Sequence, residues 1–532
     1  MNWKQNSFIP YARWLRGRAL LGQNPVACHG ILGPGLALGF IPLIVIFLIF
    51  LGVLSGACRF FSSGHKIPVK KIVLENGFTA LLVSRPGAPV FSAYLRIKVG
   101  NVEESPGYSG LAHFFEHMAF KGTDKIGTKD YKQEEIILDR IHDVGTRLTK
   151  ARQEGKPEQE LKPLIQELNR LQKEQQTLLE SNEFARIYQR NGGADMNATT
   201  TNDYTSYFVS LPSNKLELWA YLESERLLHS VFREFYKERD VVAEERRMRY
   251  DNDPDGHLYE ELMLFAFDKS PYRVPVIGFA NEIHGYTVDA ARKFRETYYV
   301  PSRMVLSIVG SYDLKEAEKW IRQYFGKLSD KKSPDQVFEK EDFSKNFPRE
   351  KVLESPDEPR FYMVFHRPAN PHPDDEVFDV LENLLCDGRT SRLYRVLVTE
   401  KKLASQVGCY ASLPGSRLDG VFTFYALPFP NVSNRQVWQE ILDQLELMKT
   451  ELVTKEDLGK VINQIDAGLL WALNENIGLA SMLTFFESLA GDWHYVYRLR
   501  ERVRRMTPED VQRVAKTYFV PNRRASVFME KK

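Results

Sequence analysis

The residues best suited to chemistry stand close together in "GLAHFFEHMAFKGT", residues 110–123, where His113, Glu116 and His117 fall in the order H-x-x-E-H. On a helix His113 and His117 lie one turn apart and project from the same face, so both imidazoles can reach one metal ion. Glu116, beside His117, can meet a water on that metal without ligating it. The pattern supplies two ligands and a general base in five residues, the logic of an inverted zinc motif. With 11 histidines in the chain, such a pattern arises by chance in roughly one or two sequences per hundred, so it needs independent support.

A catalytic zinc site requires a third protein ligand and an open position for water. The best source is "YKERDVVAEERRMRYDNDP", where Glu238 and Glu245 are seven residues apart and share a helix face, while Glu244 points away. With Glu245 as ligand, Glu238 sits two turns earlier and can hold a ligand histidine in place. Glu244 then belongs to the solvated charged face.

These elements sit in a chain of 532 residues, too long for one hydrophobic core, so two or more domains are expected. Its 72 basic and 70 acidic residues nearly cancel, and the net charge of +2 gives no electrostatic reason to expect a nucleic-acid partner. Residues 30–58 carry no charge, and residues 36–54 are apolar apart from two glycines and Pro42, long enough to span a bilayer. Lys4, Arg13, Arg16 and Arg18 precede this run, which places the N-terminus in the cytoplasm and the body outside it, on the periplasmic side in a bacterium. A cleaved signal peptide, or a lipoprotein signal ending at Cys58, are the alternatives; the long basic leader and long apolar run favour an uncleaved anchor. Cys386 and Cys409 could form a disulfide there or stand as two small buried hydrophobes.

A repeat divides the body. "YTVDAARKFRETYYVPSRMVLSIVG" from Tyr286 and "MTPEDVQRVAKTYFVPNRRASVFME" from Met506 align at an offset of 220 and share Thr287/Thr507, Thr297/Thr517, Tyr298/Tyr518, Val300/Val520, Pro301/Pro521 and Arg303/Arg523. Each reads as a helix, a proline-marked turn and an alternating strand. The expected fold is therefore α+β, with two similar α/β domains from an internal duplication. A leader and anchor occupy 1–65, the first domain 66–328, a polar linker 329–350 and the second domain 351–532. The first domain opens on a strand hairpin turned by Asn76-Gly77. It also contains a segment with no counterpart, about 130–182. There Ile137, Ile141, Val144, Leu148 and Ala151, then Leu161, Leu164, Leu168 and Leu171, are spaced as in a coiled-coil hairpin of roughly 50 residues. We read it as a protruding structural arm, with docking or gating as the sharper alternative.

H-x-x-E-H followed by E-R-x-x-V-x-x-E resembles the pitrilysin/insulinase family of zinc peptidases, which includes the mitochondrial processing peptidase. The resemblance covers nearly everything after about residue 66, including "GGADMNATTTNDYTSYF" and "DGRTSRLYRVLVTEKKLA". It implies a clamshell half in which His113, His117 and Glu245 bind Zn2+, Glu116 activates water and Glu238 assists. The gap from His117 to Glu245 exceeds the family's usual spacing by roughly the length of the helical insertion. The implied activity is zinc-dependent endopeptidase action on an extended peptide or unfolded segment paired to a strand edge, for which Asn197, Ala198 and Thr199 are the candidates.

One feature departs from the family. Active members often carry an arginine and a tyrosine after the "SRL" helix, where this chain has Thr399 and Ser405. Tyr410 and Arg417 stand nearby and read as a surface aromatic and a loop arginine. Some relatives pair a zinc-bearing subunit with a zinc-less one that supplies the missing residues, so the expectation is the catalytic half of a heterodimer. The alternative is a non-catalytic assembly or binding subunit of the same fold.

Overall fold

The computed structural model describes residues 67–334, 336–343 and 347–532. The N-terminal apolar run lies outside the described residues, and among those described no helix is long and apolar enough to cross a membrane. Eleven described strands form two mixed sheets. The first contains β1 (Lys70–Val73), β2 (Thr79–Ser84), β3 (Val90–Ile97), β4 (Ala194–Thr200), β5 (Thr205–Pro212) and β6 (Met304–Gly310), in the order β1-β2-β6-β3-β5-β4. The second contains β7 (Arg349–Ser355), β8 (Arg360–Arg367), β9 (Ala404–Leu413), β10 (Gly420–Pro428) and β11 (Arg524–Lys531), in the order β7-β11-β8-β10-β9. The first hairpin turns at Asn76-Gly77 as expected. Gly77 adopts φ 88°, which glycine tolerates, and the Asn76 side chain accepts from Phe78 N and donates to Phe325 O.

The helices that matter to the site are α1 (Leu111–Met118), α2 (Tyr131–Gln153), α3 (Glu158–Gln176), α4 (Phe235–Arg246), α5 (Pro254–Ala266), α6 (Val288–Tyr298), α7 (Asp375–Cys386), α8 (Lys455–Asn474), α9 (Asn476–Ala490) and α10 (Pro508–Tyr518). The repeat is visible to the residue. α6 and α10 begin and end 220 positions apart, their N-caps Thr287 and Thr507 both accept from a backbone N–H three residues on, and each leads through a short proline turn into β6 or β11. Apart from the extra edge strand β1, the two sheets share one order, with β2 parallel to β6 and β7 parallel to β11.

The strands of the repeat do not alternate as the sequence suggested. All seven residues of β6 are buried. One face of the first sheet, with Phe78, Phe91 and Leu95, packs on helices of its own half. The other face, with Leu81, Val83, Tyr94, Val305 and Val309, packs under Leu479, Leu483 and Phe486 of α9, which follows in the second half of the chain. The second sheet is covered in the same manner: Val364, Val421 and Val527 pack against Leu258, Leu262 and Met263 of α5, from the first half. Sheets buried on both faces carry continuous apolar strands, which explains the lost alternation.

The inserted segment forms two helices, α2 and α3, that pack through Ile137, Ile141, Val144 and Leu148 against Leu168 and Leu171. It is not a protruding arm, because α2 lies against α4. Glu134 and Arg233 form a fully buried ion pair, Thr149 accepts from Arg239, and Gly145 sits under the Tyr236 ring. The Arg233 guanidinium also donates to the carbonyls of Lys121, Thr123 and Ile126, tying the loop after α1 to the same clamp. In the second half, Cys386 and Cys409 are disulfide-bonded across 5.6 Å between Cα atoms, which joins α7 to β9.

The α2–α4 contact is directly testable at Gly145, where a Cβ would lie 2.0 Å from the Tyr236 ring. Gly145→Ala raises helix propensity by about 1 kcal/mol, yet it must displace that ring, and overpacking of this kind costs about 1–3 kcal/mol. The expected result is a lower urea midpoint with an unchanged slope. A more stable variant would contradict the packing of the insertion on α4.

Candidate active site

α1 is placed by its ends and by its apolar face. Gly110 precedes it at φ 85°, where a Cβ would collide with the Ile277 carbonyl. Glu104 accepts from the backbone N–H of Gly110 and Ala112, both at 2.7 Å, satisfying donors that a helix start leaves without intrahelical partners. Phe114 meets Phe235 edge-on and Phe115 meets Tyr299, so the phenylalanines of "HFFEH" hold the helix in the core beside α4.

This packing brings His113, His117 and Glu245 together, with one ligand atom from each within 4.8 Å of the others. Glu245 Oε2 lies 4.0 Å from His113 Nε2 and 3.6 Å from His117 Nε2, too far for strong hydrogen bonds. Two ligands about 2.1 Å from a tetrahedral ion lie about 3.4 Å apart, so the trio, with its ligand atoms within 4.8 Å of one another, reaches zinc spacing by a contraction of at most about 1.4 Å. His113 Nδ1 is buried with no hydrogen-bond partner among the described residues. These donors fit zinc in kind, number and spacing.

The surrounding groups fix the trio's orientation. His117 Nδ1 is 2.9 Å from Glu238 Oε1; Nδ1–H donating to that carboxylate leaves the Nε2 lone pair facing Glu245. Burial raises the Glu238 carboxyl, but His117 and Lys121, whose Nζ is 2.6 Å away, outweigh it and hold the value down at about 2. Burial lowers His117, and Glu238, Glu116 and Glu245 reverse that into a net rise; burial, His117 and Arg249 together push His113 well down. Arg249, one turn beyond Glu245, pairs with Oε1 at 3.0 Å and leaves Oε2 for the histidines. It sits in a π-helical turn, Arg247–Asp251, a geometry that recurs at functional sites. Glu244 is exposed and paired with Arg247, as its position on the helix requires.

Glu116 is buried, and its Oε2 accepts from Thr200 Oγ1 at 2.6 Å. Burial raises its pKa, while His117 and Thr200 oppose the rise. Thr200 ends β4, and Asn197, Ala198 and Thr199 precede it on that strand. β4 pairs only with β5 and is the outer strand of the first sheet among the described residues. Sequence reasoning did not single out Thr200, Arg249, Lys121 or Glu104. Arg249 had a legible signal in its i,i+4 spacing from Glu245, but the other three depend on contacts across the fold.

The second half repeats the scaffold without the two glutamates of α4. Positions 220 beyond Glu238 and Glu245 are Leu458 and Ile465 on α8, both packed into the second core. Thr399 lies in the π-helical turn Tyr394–Glu400, and Ser405, near the start of β9, donates to Leu427 O. Tyr410 is not a surface aromatic, since it packs on the core beneath α5. Arg417 is not a free loop arginine either. It donates to Glu103 at 2.8 Å and to Asp203 O at 3.1 Å, holding the loop between β9 and β10 to the first half.

The chain is similar to known proteins over both halves. A family model described as insulinase (peptidase family M16) matches residues 79–147 and 167–278, and one described as the peptidase M16 inactive domain matches residues 285–465. Residues 148–166, left unmatched by the first, lie at the turn of the helical insertion. The zinc protease PqqE of Helicobacter pylori is 27% identical over 87% of this chain and 92% of its own. A crystal structure of a protease from Helicobacter pylori superposes with a TM-score of 0.72 at 26% identity, over 87% of this chain and all of that one. The periplasmic protease PqqL from Escherichia coli shares the fold, with a TM-score of 0.63 at 19% identity over 87% of this chain and 48% of that one. With both halves matched in order and a His–His–Glu trio at the expected place, the chain belongs to the M16 insulinase/pitrilysin family and is a zinc protease.

Proposed function

We propose that this zinc protease is an endopeptidase acting on extended peptides or unfolded protein segments, with His113, His117 and Glu245 as zinc ligands and Glu116 as general base. The observation that carries the reading is the position of Glu116: buried, fixed by Thr200, between the trio and an outer strand. Zinc at the trio supplies Lewis acidity, lowering the pKa of a water and polarising the scissile carbonyl. Glu116 takes a proton from the attacking water and delivers it to the leaving amine. Thr200 holds Oε2 and leaves Oε1 for the water. Glu238 keeps His117 in the tautomer that offers Nε2, and Lys121 keeps Glu238 ionised. A substrate segment pairs along Asn197, Ala198 and Thr199, gaining main-chain hydrogen bonds that do not depend on its sequence.

Thr399 and Ser405 stand where active relatives carry a substrate-holding arginine and tyrosine. Tyr410 and Arg417, the nearest local substitutes, are engaged in interdomain packing. This supports a heterodimer in which a zinc-less homologous subunit supplies the pair. The Cys386–Cys409 disulfide supports an oxidising compartment, consistent with a membrane-anchored protein whose body lies on the periplasmic side. A purely non-catalytic role is disfavoured by the intact trio, its oriented histidine and its adjacent carboxyl.

Glu116→Gln is expected to retain zinc in a chelator competition and to lose at least ~100-fold in peptide cleavage; unchanged cleavage would remove Glu116 from the mechanism. Glu238→Ala is expected to weaken zinc binding ~10- to 100-fold, measured in the same competition, and an unaltered affinity would show that His117 needs no such support. Adding a zinc-less homologous subunit from the same organism should raise cleavage by the chain well above that of either alone. Full activity from the isolated chain would overturn the heterodimer.

A further inference from the structure

A cavity of about 320 Å³, lined by residues of both halves and by none of the His–His–Glu trio, falls at the small end of the size range of ligand sites. Lys98, Arg303, Arg417 and Asp203 supply its charged lining, and Tyr204, Phe485 and Leu489 its apolar lining. The carboxylates nearby are already engaged. Glu103 Oε1 accepts from both Arg303 and Arg417, and Glu103 Oε2 accepts from Gly100 N. Asp203 accepts from Tyr272 Oη at one oxygen and from the backbone N–H of Ser416 and Arg417 at the other.

No carboxylate among the described residues lies within ion-pair distance of Lys98. Burial depresses its pKa, and although Glu487 opposes this, Arg417, Arg303 and Lys71 push it further down. A second unbalanced cation stands behind the aromatic wall. Arg96 is 2% exposed, its guanidinium lies 3.8 Å from the centre of the Tyr204 ring, and it contacts Thr484 and Ser481 but no carboxylate. Arg96 Nη1 and the hydroxyl of Ser488, which lines the cavity, are buried without hydrogen-bond partners among the described residues. Buried cations and hydroxyls without partners are costly, and an anion in the cavity would meet that deficit.

We propose that this interdomain cavity binds a small organic carboxylate bearing an apolar side chain, the chemistry of a peptide C-terminus. The carboxylate faces Lys98 and Arg417, Ser488 donates to it, and the side chain rests on Tyr204, Phe485 and Leu489. The aromatic wall is what distinguishes this ligand from a bare inorganic anion, which would gain nothing from it. The site does not depend on the assignment of Glu116 or of the zinc ligands.

Calorimetric titration of the full-length Glu116→Gln protein in detergent tests the proposal. The probes are N-acetylphenylalanine, its amide, N-acetyl-Ala-Ala-Phe and inorganic phosphate. The two acids are expected to bind, with the amide and phosphate at least ~10-fold weaker. Lys98→Gln should weaken the acids ~10-fold or more without lowering the thermal midpoint, since it removes a cation that has no ion-pair partner. Ser488→Trp, which fills the cavity and keeps Lys98, should abolish binding. Tighter binding of the tripeptide assigns the site to peptide ends, and tighter binding of the single residue assigns it to a free carboxylate; both keep the site. Equal binding of acid and amide, phosphate as tight as the acids, or an unchanged Lys98→Gln overturns it. So does acid binding that vanishes with zinc removal, which would place the ligand at the trio instead.

Discussion

Each sheet has two apolar faces and only one set of helices of its own half to cover them. The uncovered face of the first sheet takes α9, and that of the second takes α5. Shifted by 220 positions, α5 overlaps α9, so the same element of the duplicated unit makes the same contact in both directions. Leu479, Leu483 and Phe486 alone contribute roughly 1.5–3 kcal/mol each by burial, and neither half could regain that by itself. The exchange therefore fixes the position of one half on the other and, with it, every feature at their junction, from the Arg417–Glu103 pair to the basic cavity.

Within the first half, α4 has a similar organising role. It carries Glu238 and Glu245 on one face and receives α1 on it. Its other side takes the insertion, through Tyr236 against Gly145 and Arg239 against Thr149. The residue just before it but one, Arg233, reaches both Glu134 and the loop that leaves α1. A displacement of α4 would thus move Glu238 and Glu245 together and, through Phe235 and Arg233, strain the seating of α1. The insertion, which looked from its heptad spacing like an independent arm, is better understood as a brace on the helix that completes the trio.

Much of the site was legible because it rests on helix periodicity. His113 and His117 at i and i+4, and Glu238 and Glu245 at i and i+7, are statements about one face of one helix, and such faces survive folding unchanged. The repeat was legible for a related reason: a proline after a helix and before a strand leaves a local signature that both copies keep. What was not legible depends on partners far apart in the chain. Thr200 reaches Glu116 across 84 residues, Lys121 reaches Glu238 across 117, and the second face of β6 is covered by a helix that starts some 165 positions later. The strand pattern misled for this reason, since alternation presumes one wet face and β6 has none. That β4, with Asn197, Ala198 and Thr199, is the outer strand of the first sheet among the described residues is revealed only by the sheet order.

The two copies have diverged in one chemical respect that the shared scaffold makes visible. Where α4 offers Glu238 and Glu245, α8 offers Leu458 and Ile465, and both are packed into the second core. A carboxylate at either place would be buried without a histidine to orient or a metal to bind, which is unfavourable unless compensated. Apolar residues are the stabilising choice at these two positions, and they make α8 part of the wall of the second core. The first copy retains the opposite compromise: two histidines and three glutamates in a largely buried cluster, offset by hydrogen bonds from Thr200, Lys121 and Arg249. Such a cluster is costly to bury without compensation, because His113 and Glu245 face one another at 4.0 Å, beyond hydrogen-bond distance. A metal held by the trio would therefore add to the stability of the first half, whereas the matching helix of the second half relies on apolar packing.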